Sequence, residues 1–332
     1  MPKVILDCDP GIDDALALLL AAASPELEIL GITTVSGNVP ADMGAQNARK
    51  VLRQAGRPEI PVYIGEMAPL EIPYVDAMDT HGRDGLGESF LPEVPGPFPE
   101  TSAVEFLEET LEREEASIIA LGPLTNLARL FRKRPDLVRR VPRLVSMGGN
   151  FRSHGNCSPV AEYNYWCDPH AARAVFEAVA SLPTLQGKVL HMVGLDVTRQ
   201  VVLTPNLREY LCRLNPETGG FIRDITDFYM DFHWQQEGLI GCVINDPLAV
   251  AYFLNRDLCR GFFAYTAVET EGICEGQSVV DACGFWKKAP NSYILTETDP
   301  LGFMELFFSR LLKQPPETLR PMLGQLMGGE RL

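Results

Sequence analysis

Two rhythms alternate along the first third of the chain. Short apolar runs at 4–6, 27–35 and 60–65 have the length and composition of buried strands. Between them lie stretches of strong helix formers, from Asp13 through the run Ala15–Ala23 and from Ala41 to Gln54. The resulting β-α-β-α-β order predicts a parallel sheet covered by helices. The same alternation returns with a helix over 103–113, a strand over 117–121, a helix opening in GPLTNLARLF, a strand over 144–147 and another over 188–196. Later segments add helices over 220–236 and 300–312 and a strand-like stretch, FFAYTAVE. No internal repeat or low-complexity linker interrupts this order, so the expectation is one α/β domain spanning 1–332, a mainly parallel open sheet with a Rossmann-like core.

Two connections break the rhythm. Residues 66–100 are rich in Pro and Gly without a clear period, and a second loop runs from Asn150 to about Cys167. Connections of that length are usually functional. The strands end in polar segments at Asp7–Asp14, Asn38, Leu121–Asn126, Gly148–Asn164 and Asp196, and the carboxyl ends of strands form the ligand crevice of open α/β sheets.

Asp7, Asp9, Asp13 and Asp14 crowd the first of those segments. One aspartate at a helix start is an ordinary cap. Four carboxylates on a strand end, a Pro-Gly turn and a helix start repel one another unless a cation or protons neutralise them. A hard, oxygen-liganded ion such as calcium or magnesium is the natural partner, and water activated by such an ion beside a carboxylate base suits hydrolysis. Strand alternation sends Asp7 and Asp9 to one side and Cys8 into the core.

The formal net charge of −15 argues against nucleic acid as a partner. Eight cysteines at irregular spacings, none in a C-x-x-C pair, read as reduced thiols rather than a zinc site or a disulfide framework. The start, MPKVILDCD, has no signal-peptide character, and no apolar run is long enough to span a bilayer. A cytoplasmic protein without membrane contact is expected.

DCDPGIDDALALLLA also resembles the N-terminal signature of the inosine–uridine nucleoside hydrolase family. ITTVSGN (32–38), THGRDGLG (80–87), LGPLTNLA (121–128), MGGN (147–150), VAEYNYWCDPHAA (160–172), MVGLDVT (192–198) and NDPLAVAY (245–252) follow in the family's order. The resemblance covers nearly the whole chain. It implies the nucleoside hydrolase fold and calcium-dependent hydrolysis of the N-glycosidic bond of ribonucleosides, releasing free base and ribose. It further implies calcium held by Asp9, Asp14, Asp246 and the carbonyl of Leu121, with Asp9 also the general base for water. Asp13, Asn38 and Asn164 would hold the ribose hydroxyls, with Asn156 and Glu162 toward the 5′-hydroxyl. A homodimer or homotetramer is implied as well, though no interface signature stands out. These roles fit an oxocarbenium-like transition state stabilised by partly neutralised carboxylates.

One departure matters. Many family members carry His before the last calcium-binding Asp, where it helps protonate the leaving base; here that position is Asn245. An amide can donate a hydrogen bond but is no general acid near pH 7. His81, His233 and Trp234 are the candidates for base-side compensation, the histidines as donors and the indole as a stacking surface. The departure keeps two alternatives open: a modified or activated ribosyl substrate, and a non-catalytic ribose-binding protein on the same fold. A phosphatase of the haloacid dehalogenase type would share Asp7-Cys8-Asp9 at a first strand end but leaves Asp13 and Asp14 unexplained.

Overall fold

The structure, a computed structural model, describes residues 1–182 and 188–328. Its N-terminal half follows the alternation of the sequence. Strand β1 (Lys3–Cys8) leads through the turn at Pro10-Gly11 into α1 (Ile12–Ala22), then β2 (Glu28–Thr34), α2 (Ala41–Gln54) and β3 (Val62–Ile64). After the long connection, which holds a single helical turn, α3 (Met78–His81), come α4 (Ala103–Arg113), β4 (Ser117–Ala120), α5 (Thr125–Lys133) and β5 (Leu144–Met147). The loop after β5 is not wholly irregular. Glu162 caps a short helix, α6 (Tyr163–Cys167), by accepting from the N–H groups of Asn164 and Tyr165, and α7 (Pro169–Ala180) follows.

The strand expected over 188–196 is confined to β6 (Leu190–Val193). Beyond Gly194 the chain turns into α8 (Leu195–Thr198), because the Asp196 carboxylate accepts from the N–H groups of Phe151, Arg152 and Ser153 and draws the chain out of the sheet. A two-strand ribbon, β7 (Val202–Leu203) with β8 (Cys242–Val243), brackets α9 (Pro205–Leu214) and the long α10 (Pro216–Glu237). Helix α10 begins four residues earlier than its apolar pattern suggested, since Asn215 caps it and Pro216 occupies its first position. The chain then runs through α11 (Asn245–Leu254), β9 (Cys259–Val268), β10 (Ser278–Asp281), β11 (Ser292–Thr298), α12 (Pro300–Leu312) and α13 (Pro316–Leu326).

Nine strands form one sheet in the order β10-β9-β11-β6-β5-β4-β1-β2-β3. From β11 to β3 all neighbours are parallel, and only β9 and β10 pair antiparallel. Alternation along β1 feeds two cores: Val4, Leu6 and Cys8 pack with α1 and α11 on one face, Ile5 with α5 and α7 on the other. Strand β1 pairs with β2 on one side and β4 on the other, with Asp7 level with both Thr33 and Ala120. The chain thus reverses its direction of travel across the sheet at β1/β4, which opens a crevice at their carboxyl ends. No helix among the described residues is long and apolar enough to cross a membrane.

Candidate active site

A cavity of about 420 Å³ lies over that crevice, within the size range of small-molecule sites. Its walls include Asp13, Asn38, His81, Leu121, Asn156, Glu162, Asn164, His233, Asn245 and Asp246. The sheet's topology therefore gathers residues separated by more than two hundred positions. Asp9 and Asp14 are fully buried and do not line the cavity.

The carboxylates are tightly placed. Asp13, Asp14 and Asp246 each bring an oxygen within 4.8 Å of the others. Asp9 is outside that trio, although its own N–H donates to Asp14 Oδ1 at 3.2 Å. Asp14 Oδ2 accepts from the Gly11 N–H and from Asn38 Nδ2. The N–H of Asn38 donates to Asp9 Oδ2 at 2.7 Å, while Asp9 Oδ1 is buried without a partner among the described residues. Two glycines make room for this carboxylate: a Cβ on Gly37 would stand 2.0 Å from Asp9 Oδ2, and one on Gly122 2.5 Å from Oδ1. Gly37 lies in ITTVSGN and Gly122 in LGPLTNLA, but neither motif by itself marks the glycine as the residue that makes this room.

Burial, and then the neighbouring charge of Asp14, pushes the Asp9 carboxyl well above the usual range. Burial and the charge of Asp13 push Asp14 up to about 7. Asp246 is raised for the same reasons, with Asp13 and then Asp14 as the neighbours. Carboxylates packed this closely call for a cation. The oxygen-only donor set suits a hard one, and the unpartnered Asp9 oxygen beside it leaves coordinating capacity free. Asp7 sits deeper, taking Thr33 Oγ1 and Asn126 Nδ2 as donors, and burial raises it to about 6.

Asn164 Nδ2 donates to the Leu121 carbonyl at 2.7 Å and to the Met147 carbonyl at 3.2 Å. This ties the ends of β4 and β5 to α6. Glu162 accepts from the backbone N–H groups of Gly149, Asn164 and Tyr165, yet burial still lifts it to about 7. Asn156 Oδ1 accepts from the Tyr163 N–H. Tyr74 and Tyr163 both donate to the Gly37 carbonyl, strapping the two long connections over the end of β2.

The base-side candidates separate clearly. The Ile12 N–H donates to His81 Nδ1 at 3.0 Å, so the ring proton must sit on Nε2. Nε2 has no protein partner among the described residues, and the ring lines the cavity stacked on Tyr229. His233 has both nitrogens engaged: Nδ1–H donates to the Tyr229 carbonyl at 2.8 Å, and Nε2 accepts from the Val243 N–H at 3.4 Å. Burial lowers the pKa of both rings, which keeps them neutral near pH 7. Trp234 is not brought to this site. One residue on from His233, it points about 100° further round the helix, is 58% exposed and lines a separate groove with Met230 and Ile240. Stacking on a base here is thus a role for which the structure gives Trp234 no position.

Asn245 Nδ2 donates to Asp13 Oδ2 at 3.0 Å and to the Tyr229 hydroxyl at 3.4 Å, and its Oδ1 is buried without a partner among the described residues. Tyr229 also donates to Asp13 at 3.4 Å. This tyrosine, unremarked in the sequence reading, lies one turn before His233, where the i, i+4 spacing could have pointed to it.

Fold and site together define an α/β enzyme with a metal-competent acidic cluster at the sheet's switch point, ringed by the amides and carboxylates that suit a polyol. The family model described as inosine-uridine preferring nucleoside hydrolase matches residues 4–305, and the chain belongs to that family. It is 39% identical over 283 residues to uridine nucleosidase 1 of Arabidopsis thaliana, covering 84% of this chain and 82% of that one. It is 36% identical over 313 residues to a pyrimidine-specific ribonucleoside hydrolase, RihA, of Citrobacter koseri, covering 93% and 97%. Among solved structures, the purine-preferring ribonucleoside hydrolase from Gardnerella vaginalis superposes with a TM-score of 0.86 at 31% identity, covering 94% of this chain and 98% of that one. A plant nucleoside hydrolase gives 0.85 at 30%, covering 94% and 99%. The chain is a nucleoside N-ribohydrolase, acting on ribonucleosides as small-molecule substrates.

Proposed function

We propose that the protein hydrolyses ribonucleosides in a calcium-dependent reaction, with Asp9 as the general base. The observation that carries this reading is the buried carboxylate cluster at the β1/β4 switch point, with one Asp9 oxygen fixed by Asn38 and the other unpartnered. Asp14 and Asp246, with Asp9 and the Leu121 carbonyl beside them, would hold the ion, and Asp13 stands next to it on the cavity side. When bound, calcium would polarise the attacking water and gather the ribose 2′- and 3′-hydroxyls.

The protein's own groups do the rest. Asp9 takes the proton from water. Asp13, Asn38 and Asn164 pair with ribose hydroxyls, so a deoxyribose would leave buried polar atoms unmatched and be rejected strongly. Asn156 and Glu162 face the 5′-hydroxyl. The surrounding carboxylates stabilise positive charge at C1′ and the ring oxygen as the glycosidic bond lengthens. His81 offers a neutral Nε2–H toward the departing base. His233 must break its bond to Val243 before it can face a ligand through Nε2.

Uridine is the first substrate to test, because both sequence relatives described above carry pyrimidine names. Incubation with a panel of ribo- and deoxyribonucleosides, followed by chromatography for free base, should show release from ribonucleosides only, abolished by a calcium chelator. No release from any nucleoside would remove this reading.

Asn245 favours a second reading within the same chemistry. Its amide donors are committed to Asp13 and Tyr229, so no strong acid stands at this position, and a ribosyl substrate with an activated leaving group needs none. Asn245→His should raise kcat on uridine or inosine if leaving-group protonation limits the rate. Unchanged or lower turnover, measured alongside an activated p-nitrophenyl riboside, would show that it does not.

A further inference from the structure

Helix α2 meets the Pro10-Gly11 turn along one stripe. Gly44 gives the Pro10 ring room, since a Cβ there would stand 2.9 Å from its Cδ. Asn47, one turn on, is fully buried and has no part in the reaction described above. Its Nδ2 donates to the Pro10 carbonyl at 3.2 Å and to the Asp84 carbonyl at 2.8 Å. Among the described residues no other donor reaches either carbonyl. Lys50 Nζ donates to the amide's Oδ1 at 3.3 Å, which fixes its orientation. A buried amide is costly unless its polar atoms are matched, and here both N–H groups are spent on joining two loops.

The two carbonyls flank His81. Asp84 lies three residues after it, and its carboxylate gathers the loop by accepting from the N–H groups of Leu86, Glu88 and Phe90. Pro10 lies two residues before Ile12, whose N–H donates to His81 Nδ1 at 3.0 Å. Ring and turn touch closely: a Cβ on Gly11 would stand 2.7 Å from Nδ1. On the loop side Gly85, at φ +73°, makes the same allowance, because a Cβ there would stand 2.8 Å from Asn47 Nδ2. Ile12–His81 and Pro10–Asn47–Asp84 are thus two rungs between the same pair of segments. The first rung decides which ring nitrogen carries the proton. The second holds the spacing at which the first can form.

We infer that Asn47 is a positioning residue for the reaction. By holding Asp84 against Pro10, it keeps His81 Nδ1 on the Ile12 N–H and so leaves the ring's Nε2–H free for the departing base.

Asn47→Leu keeps the size of the side chain and removes both donors. With the fold checked by circular dichroism, its expected mark is selective. Turnover of uridine should fall on the order of 10²-fold in kcat, with KM little changed, as a donor is misplaced. Turnover of p-nitrophenyl riboside, whose leaving group needs no proton, should stay within about twofold. A residue that merely steadies the aspartate turn would lower both alike, so an equal loss on the two substrates would overturn the inference. Gly85→Ala disturbs the second rung from the loop side alone and should reproduce the selective loss.

Asn47 acts on turnover only if His81 is the base-side donor of the proposed reaction, so the rung is also read without substrate, by nitrogen NMR of the His81 ring near pH 7. The wild type should show Nδ1 unprotonated and Nε2 protonated, and Asn47→Leu a mixture of the two tautomers. Identical ring signals in the two proteins would overturn the inference. Mixed tautomers with undiminished uridine turnover would overturn it as well, by taking His81 out of the reaction. That failure is His81's alone and leaves calcium-dependent hydrolysis through Asp9 standing.

Discussion

Asp9→Asn is expected to lower kcat by about 10²–10⁴-fold, with nucleoside affinity changed far less. The substitution is nearly isosteric, so the remaining carbonyl oxygen can still accept from the Asn38 N–H, and the pocket between Gly37 and Gly122 still fits the side chain. What disappears is the basic oxygen that stands buried without a partner. A merely structural aspartate would behave differently: its loss would lower Tm and shift KM while leaving the kcat pH profile in place. Here the removal of one negative charge from a crowded cluster should leave the fold as stable or more so, because the neighbouring carboxyls are already raised by burial and mutual repulsion. Single-turnover rates with saturating nucleoside and calcium, together with Tm, separate the two. Turnover near that of the wild type would take Asp9 out of the proton transfer and turn attention to Asp13, which lines the cavity where Asp9 does not.

Much of the fold was legible because its parallel core is built from short apolar runs and strong helix formers. β1, α1, β2 and α2 fall where the pattern places them. The end of β6 was not, because the signal that stops it is tertiary: Asp196 reaches back to three N–H groups in a loop some forty residues earlier. Nor did the pattern show that β9 and β10 turn antiparallel beside β11, since strand alternation carries no record of partner direction. Helix α6 lay hidden in a loop because its start depends on the Glu162 side chain rather than on propensity.

The site divides in the same way. The crowding of Asp7, Asp9, Asp13 and Asp14 was visible in eight residues, and the structure adds Asp246 from the far end of the chain to Asp13 and Asp14. Base-side assignments were weaker because they turned on helix phase. His233 and Trp234 are adjacent in sequence, but α10 presents them to different surfaces, and Tyr229 is the residue on the cavity side that also touches Asp13. The two glycines around Asp9 carry no side chain to notice. Their role appears only when the space that a methyl group would take is measured against the carboxylate.

The second large effect concerns the ion and pH together. Chelation should abolish turnover and lower Tm, and Asp14→Asn should weaken calcium binding. At a calcium concentration a hundred times Kd, binding stabilises the fold by about 2.7 kcal/mol, roughly 4 °C for a chain of this size. The sign of the pH effect follows from the raised carboxyls. Without the ion, Asp14 titrates near 7 and Asp9 and Asp246 are also raised, all above their unfolded values near 4. The folded chain therefore holds more protons than the unfolded one between about pH 4 and 7. The stability these groups contribute is fully present below about pH 4 and is lost as pH rises through 7. Calcium held by these carboxylates would require them ionised, so its affinity should run the other way, weak at pH 5 and strong at pH 8. The gap in Tm between calcium-loaded and chelated protein should therefore widen steadily from pH 5 to pH 8, and Asp14→Asn should flatten that widening. A gap independent of pH would mean that the ion binds away from these carboxylates, and an unchanged calcium affinity in Asp14→Asn would remove that residue from the site.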